Sequence, residues 1–412
     1  MIPRSQLPAY SPLSAGAIQR AIVHGFGAAM NGHASLAAAL EREYSADQAI
    51  LLGSGTAALR VAIRLAMRRV GHTAVALPAF TCFAVAAAAV GERARLRFYD
   101  LEPGTLAPDL ESLERVLERG TRIAVITPQY GFPVDWDAIA DLVARYGAIA
   151  VEDAAQGDHA TWRGRPLGSL GAISVLSFGR GKGWTGGRGG ALLVRDQGPW
   201  DGLSEVLLEL SDGSRRRGAE LRVVGGLAAQ WALGRPACYA IPRAVPWLRL
   251  GETVYRDAGT PQPMTHAASA CLAATRSAAA REAAIRRATA AALIVAIGAG
   301  SAVRPVRPLP GATPGYLRLP LRLVHGLAGF PHPAAAVRLG LAPSYPSVLA
   351  AIPQVRPLVD DPTPCWPGAD ELVRTLWTAP THSQLTDGER SRLAAALQAY
   401  EQRVVLEDME RE

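Results

Sequence analysis

Lys182 is the only lysine among the 43 basic residues of this chain. A lysine can release its proton, attack a carbonyl and form an imine; an arginine stays charged and cannot. Lys182 stands in the run Ser177-Phe-Gly-Arg-Gly-Lys-Gly-Trp-Thr-Gly-Gly-Arg-Gly-Gly190. Its glycines allow close backbone approach and unusual dihedral angles. Two more segments carry chemistry. Leu51-Leu-Gly-Ser-Gly-Thr-Ala-Ala-Leu59 ends an apolar run in small residues and opens a helical pattern. Amides and the helix dipole at such a start favour an anion, although Ser and Thr there also serve as ordinary caps. No GK[ST] follows, so this is not a nucleotide P-loop. Ala148-Ile-Ala-Val-Glu-Asp-Ala-Ala-Gln156 runs straight into Glu152-Asp153. A carboxylate at the end of a buried strand is unfavourable unless it meets a cation, though Asp153 could equally cap the next turn.

The elements that position these residues follow from periodicity. Strands are expected at Ala49–Leu52, Thr73–Leu77, Arg95–Tyr99, Arg122–Thr127, Ala148–Glu152, Ala172–Phe178 and Gly190–Val194. Several are continuous apolar runs, as in strands buried on both faces. Helical patterns at Thr56–Arg69, Phe83–Ala89, Leu110–Glu118 and Asp135–Tyr146 alternate with the early strands. This predicts an α/β fold with a mainly parallel, doubly wound sheet, whose ligands bind at the carboxyl ends of strands. Those ends then offer an anion cradle, a carboxylate and a lysine. Together they are the parts that hold pyridoxal 5'-phosphate (PLP). The lysine would form an imine with it, Asp153 would keep its ring nitrogen protonated, and Gln156 could donate to a ring oxygen. Ser177 and the helix start would hold the phosphate.

Residues 1–264 are expected to form the large cofactor-binding domain, and 265–412 a smaller C-terminal α/β domain. Within the first, 201–261 breaks the rhythm. It holds Ser214-Arg-Arg-Arg217 and the apolar stretch Leu221–Leu250. Such a stretch suits a buried hairpin or dimer contact, or an interfacial helix. Thr265–Ala299 reads as one or two Ala-rich helices with Arg281, Arg286 and Arg287 on the polar side. Leu385–Val405 reads as a closing helix.

Composition narrows the classes. With 412 residues, 49% hydrophobic and 19% charged, the chain can bury a large core, which excludes global disorder. The net charge of +7 favours anionic ligands, but it is dispersed rather than gathered in a stripe, so no nucleic acid is expected. Cys82, Cys238, Cys271 and Cys365 form no CxxC pair, which argues against disulfides and a metal site. Met1–Leu13 lacks a signal-peptide pattern, and no apolar run is of membrane length. A cytoplasmic protein without membrane contact is expected.

The chain resembles the DegT-type sugar aminotransferases, a family of fold-type I PLP enzymes, from about Tyr44 to Glu401. The resemblance rests on Gly53-Ser-Gly-Thr-Ala-Ala-Leu59, Leu77-Pro-Ala-Phe-Thr81, Val125-Ile-Thr-Pro-Gln-Tyr-Gly131, Glu152-Asp-Ala-Ala-Gln156, Arg163-Gly-Arg-Pro-Leu-Gly-Ser-Leu-Gly171 and Ser177-Phe-Gly-Arg-Gly-Lys182, in that order. It implies that Lys182 carries the internal aldimine (a Schiff base). Asp153 would pair with the pyridine nitrogen and Gln156 with the phenolic oxygen. Ser177 and the Gly55-Thr56-Ala57 backbone would hold the phosphate. The expected reaction moves an amino group from L-glutamate or L-glutamine to a keto substrate. An anionic, nucleotide-linked keto sugar or a related biosynthetic intermediate is the expected acceptor. Arg180 and Arg188 are candidates for the anion, and His159 for the substrate. A homodimer with shared active sites is implied. Two departures stand out. Where the family stacks an aromatic ring on the cofactor, this chain has Cys82, with Phe80 and Phe83 to either side. Pro261-Gln-Pro-Met-Thr265 lacks the family's phosphate-binding Asn and Arg before the Met. Elimination, replacement or carbon–carbon chemistry on PLP, or a non-catalytic PLP-binding regulator, are the alternatives. Dehydratase relatives lack the lysine, so Lys182 speaks against that route.

Overall fold

A computed structural model describes residues 4–27, 32–71, 74–195, 200–211, 217–243, 253–361 and 365–410. Seven strands form the central sheet: β1 Gln48–Leu52, β2 Val75–Pro78, β3 Leu96–Tyr99, β4 Ile123–Ile126, β5 Ile149–Asp153, β6 Ile173–Ser177 and β7 Gly190–Val194. Their order is β1-β7-β6-β5-β4-β2-β3. All seven expected strands are present, Gly190–Val194 unchanged and the others with ends moved by one or two residues; Thr73 lies outside the described residues. Pairings from β3 to β6 are parallel, whereas β7 runs antiparallel to both β6 and β1. The reason is the glycine-rich connection. Parallel strands need a crossover, usually through a helix. The chain from Ser177 to Gly190 has none, so it returns directly.

Two helices, α1 Ala15–Phe26 and α2 Gly32–Tyr44, precede the sheet. Then α3 Gly55–Val70, α4 Phe83–Gly91, α5 Leu110–Glu118 and α6 Trp136–Arg145 follow β1 to β4. The sheet register brings the chemistry to one edge. Leu52 faces Gly190, Gly190 faces Ser177, and Asp153 lies beside Val175 of β6. Ser54 caps α3 by accepting from the Ala57 amide at 3.1 Å. The helix therefore starts against the strand ends.

Residues 201–261 contain α7 Leu203–Ser211, α8 Arg217–Leu233 and α9 Pro236–Arg243. Ser214–Arg216 of the basic cluster and 244–250 of the apolar stretch lie outside the described residues. In α8 the buried Glu220 accepts from the His266 and Ala267 amides, while Leu221 stays 61% exposed. The segment is thereby fastened to the start of α10, His266–Ile297, a single helix of 32 residues. Its first half packs with α1 under the large sheet. Its second half packs on another sheet: β8 Val303–Pro305, β9 Leu319–Leu323, β10 Ala342–Pro343 and β11 Leu376–Ala379, in the order β8-β9-β11-β10. Arg286 does not lie on a polar face as its spacing suggested. It is 1% exposed, because it meets a buried carboxylate far away in sequence, Asp158. Two short helices, α11 Pro333–Arg338 and α12 Pro367–Thr375, precede the closing helix α13 Asp387–Met409.

The N-terminal segment is tied to the start of α13. Glu389 accepts from Gln6 Nε2 at 2.7 Å and Arg4 Nε at 3.1 Å, and it forms a capping box with Thr386. Burial alone would raise its pKa, but these hydrogen bonds hold it down at about 2. A depressed carboxylate contributes stability that is full above its ordinary range and is lost as pH falls through the folded value. Glu389→Gln is therefore expected to lower the unfolding temperature at neutral pH. The gap to wild type should close as pH falls from about 4.5 towards about 2. Denaturation midpoints across that range check this, and a gap independent of pH would refute it.

Candidate active site

A cavity of about 120 Å³ lies at the carboxyl edge of the large sheet, between the start of α3 and the lysine loop. Gly55, Thr56, Cys82, Asp153, Gln156, Ser177 and Lys182 all line it, although they come from four separate segments. It adjoins a larger cleft of about 740 Å³ that shares Gly55, Thr56, Cys82 and Ser177, and whose wall includes Ala57. Gly55 is required by close approach: a Cβ there would stand 2.5 Å from the Cβ of Ser177. The Ala57 amide is already taken by Ser54, so the anion end of this cradle rests on Gly55, Thr56 and Ser177.

The two neighbouring carboxylates divide their roles. Glu152 is fully buried and accepts from the amides of Gly168, Leu170 and Gly171 and from the Ser174 hydroxyl, so it braces the loop behind the sheet. Asp153 lines the cavity and, among the described residues, receives only the Ala155 amide, at 3.1 Å. Burial raises its pKa; the charge of Lys182 is the main opposing influence. Such a carboxylate is stabilised by any cation brought beside it. Gln156 is oriented from both ends, accepting from the Tyr130 amide at 3.2 Å and donating to the Tyr345 hydroxyl at 3.0 Å.

Other expected residues lie elsewhere. Phe80 lines neither space; it is fully buried, with its ring edge-on to Tyr345 at 5.3 Å. Cys82 occupies the cavity wall and Phe83 the cleft wall. His159 also lines neither, because its Nδ1 is turned to Asp158 at 2.9 Å. Arg180 is exposed outside both, whereas Arg188 reaches the cleft. Three residues were not singled out from the sequence. Arg222 and Arg256 line the cleft with Arg188, and nothing in their local pattern marks them. Thr127, at the end of β4, lines the cavity with a buried Oγ1 that has no hydrogen-bond partner. Its place at the end of an apolar run was the available signal.

PLP fits these residues. The unpartnered Thr127 hydroxyl, the buried Asp153 carboxylate and the cradle at Gly55 each lack a partner of the kind the cofactor would bring. Residues 16–220 match the DegT/DnrJ/EryC1/StrS aminotransferase family. Over 143 residues it is 32% identical to an L-glutamine:2-deoxy-scyllo-inosose aminotransferase of Streptomyces kanamyceticus, covering 35% of this chain and 33% of that one. The chain thus spans about a third of the length of that curated relative. Among solved structures it is similar to the sugar aminotransferase CalS13 from Micromonospora echinospora. That likeness has a TM-score of 0.73 and 22% identity over 97% of this chain and all of the other. It is also similar to Spr1654 from Streptococcus pneumoniae in its PLP form, with a TM-score of 0.73 and 16% identity over 96% and 98%. These structures share the fold-type I architecture.

Thr127→Val keeps the shape and removes the unpartnered hydroxyl. The cofactor-free protein should keep or slightly raise its melting temperature, since the hydroxyl is buried without a partner. PLP affinity should fall by about tenfold, the loss of one hydrogen bond. Titration with PLP checks this; an unchanged affinity would remove Thr127 from the site.

Proposed function

We propose that this chain is a PLP-dependent aminotransferase. In this reading it takes an amino group from L-glutamine or L-glutamate and delivers it to the keto group of a polyhydroxylated, anionic acceptor. The observation that carries the reading is the pairing of the chain's one lysine with the buried Asp153 in a single cavity. PLP, when bound, supplies an electron sink that makes the α-proton of an amino acid labile. Asp153 would hold the proton on the pyridine nitrogen, a role favoured by its burial. Gln156, fixed by Tyr130 and Tyr345, would orient the ring through its oxygen. Ser177 and the Gly55–Thr56 start of α3 would anchor the phosphate, with Cys82 walling the ring where an aromatic is absent. The Lys182 amine would carry the proton between the α-carbon of the donor and the carbon that receives it.

The acceptor class is argued from the cleft. Arg188, Arg222 and Arg256 bring three guanidinium groups to its wall, and Asp257 is the carboxylate there. Guanidinium forks suit phosphate or carboxylate groups. The named relative acts on an inosose, which supports a cyclic polyhydroxy ketone. A homodimer would cover the exposed apolar residues Ile22, Val23 and Phe26 of α1 and Leu221 of α8. No helix of the described residues is long and apolar enough to cross a membrane.

The purified protein with PLP is expected to show a visible absorbance band that L-glutamine or L-glutamate bleaches. Lys182→Ala should lose the band. Asp153→Asn should keep bound cofactor but slow the bleaching by about 100-fold or more, the scale of a lost proton-holding group. A band unaffected by any amino donor would turn the assignment to another PLP reaction. Absence of a band would end it.

A further inference from the structure

The loop that carries Lys182 is built around glycines in the left-handed region. Gly181, Gly183, Gly187 and Gly189 all have φ between 74° and 118°. What fixes the lysine must come from outside these glycines. On one side, the Lys182 carbonyl accepts from the Trp184 amide at 2.9 Å. The Trp184 indole in turn donates to the Leu272 carbonyl of α10 at 3.0 Å. On the other side, Gly183 rests on Asp158: a Cβ at 183 would stand 2.2 Å from Asp158 Oδ2. That same oxygen is held by Arg286 Nη2 of α10 at 2.7 Å, with side-chain exposures of 1% for Arg286 and 9% for Asp158. The other Asp158 oxygen is held by His159 Nδ1.

Arg286 reaches one element further. Its Nε donates to the Gly315 carbonyl at 3.2 Å, and the Gly315 amide donates to the Gly131 carbonyl at 2.9 Å. Gly131 follows Tyr130, whose amide is the group that holds Gln156. One buried ion pair therefore touches the loop of Lys182 and the turn after Asp153, and through Gly315 it is linked to the turn that orients Gln156. Neither Arg286 nor Asp158 lines the cavity or the cleft.

We propose that Asp158 and Arg286 are positioning residues that set where Lys182 stands relative to Asp153 and Gln156. The proposal rests on the reading of Lys182 as the group that meets PLP. Displacements near 1 Å remote from the chemistry can cost about 100-fold in rate. On the Gly183 side the carboxylate of Asp158 is the side chain against the loop, so its position bears directly on that of Lys182.

Three variants test it: Asp158→Asn weakens the pair, Arg286→Lys keeps the charge without the second hydrogen bond, and Gly183→Ala pushes a methyl group into Asp158. Each is saturated with PLP and examined by visible circular dichroism of the bound cofactor and by single-turnover bleaching with L-glutamine or L-glutamate. The expected result is bound cofactor with an altered dichroic band and bleaching slowed by about 10–100-fold. Arg286→Lys should be the mildest of the three. A lower melting temperature with an unchanged dichroic band and unchanged bleaching would mean a merely structural ion pair and would overturn the proposal. If Asp158→Asn does not fold, Arg286→Lys, which keeps the charge of the pair, decides by the same two readouts. A wild-type protein without a Lys182-dependent band would overturn the cofactor reading and this inference together, whereas a normal wild type with unaltered variants overturns only the inference.

Discussion

Taking the Asp153 carboxylate out of water raises its pKa, and the charge of Lys182 is the largest influence that opposes the rise. The remaining demand for positive charge constrains the rest of the site. It requires a strand that ends dry, a lysine delivered from another segment, and space between them for a third group. Glu152, one residue earlier, faces the opposite way and meets four donors. Alternation along a strand thus places one carboxylate in the scaffold and the next at the cavity. The scaffold residue is satisfied within the protein, and the cavity residue is not.

The sheet meets this constraint through register and small residues. Gly190 faces both Leu52 and Ser177, and a Cβ there would stand 2.5 Å from the Ser54 carbonyl. Together with Gly55 it lets three chain segments converge within van der Waals contact. The antiparallel β7 follows from the same requirement. A helical crossover after β6 would carry the chain away from the strand ends. A direct glycine-rich return keeps Lys182 beside them.

Much of this was legible in the sequence because buried strands are apolar runs and their ends are abrupt. Seven strand positions, the start of α3 and the gathering of Asp153, Gln156, Ser177 and Lys182 follow from that. What was not legible depends on partners distant along the chain. Arg286 falls at a helical spacing that suits solvent, and only its meeting with Asp158, 128 residues away, explains its burial. Phe80 flanks the position where the resemblance expects a stacking ring, but it is fully buried and edge-on to Tyr345. His159 follows a functional motif, yet the adjacent Asp158 turns its ring aside. Arg222 and Arg256 reach the cleft through the placement of α8 and of the chain before Pro261, which no local pattern encodes.

The separation of Arg from Lys along the chain has a physical logic once both sites are seen. Arg286 makes two hydrogen bonds in different directions, one to a carboxylate and one to a carbonyl. A planar fork serves both from separate nitrogens without moving, whereas an ammonium group is a single point charge on a flexible stem. Burial of that fork is tolerable because its charge is paired; removing one partner of such a pair typically costs about 3–5 kcal/mol. In the proposed reaction the requirements at Lys182 reverse. A fixed charge and a rigid fork would hold the proton permanently and fill the cavity with donors. A single amine on a flexible stem can give up its proton and swing between two carbon atoms. On the proposed reading, a chain with arginine at its other 42 Lys/Arg positions keeps its one lysine where a cation must sometimes cease to be one.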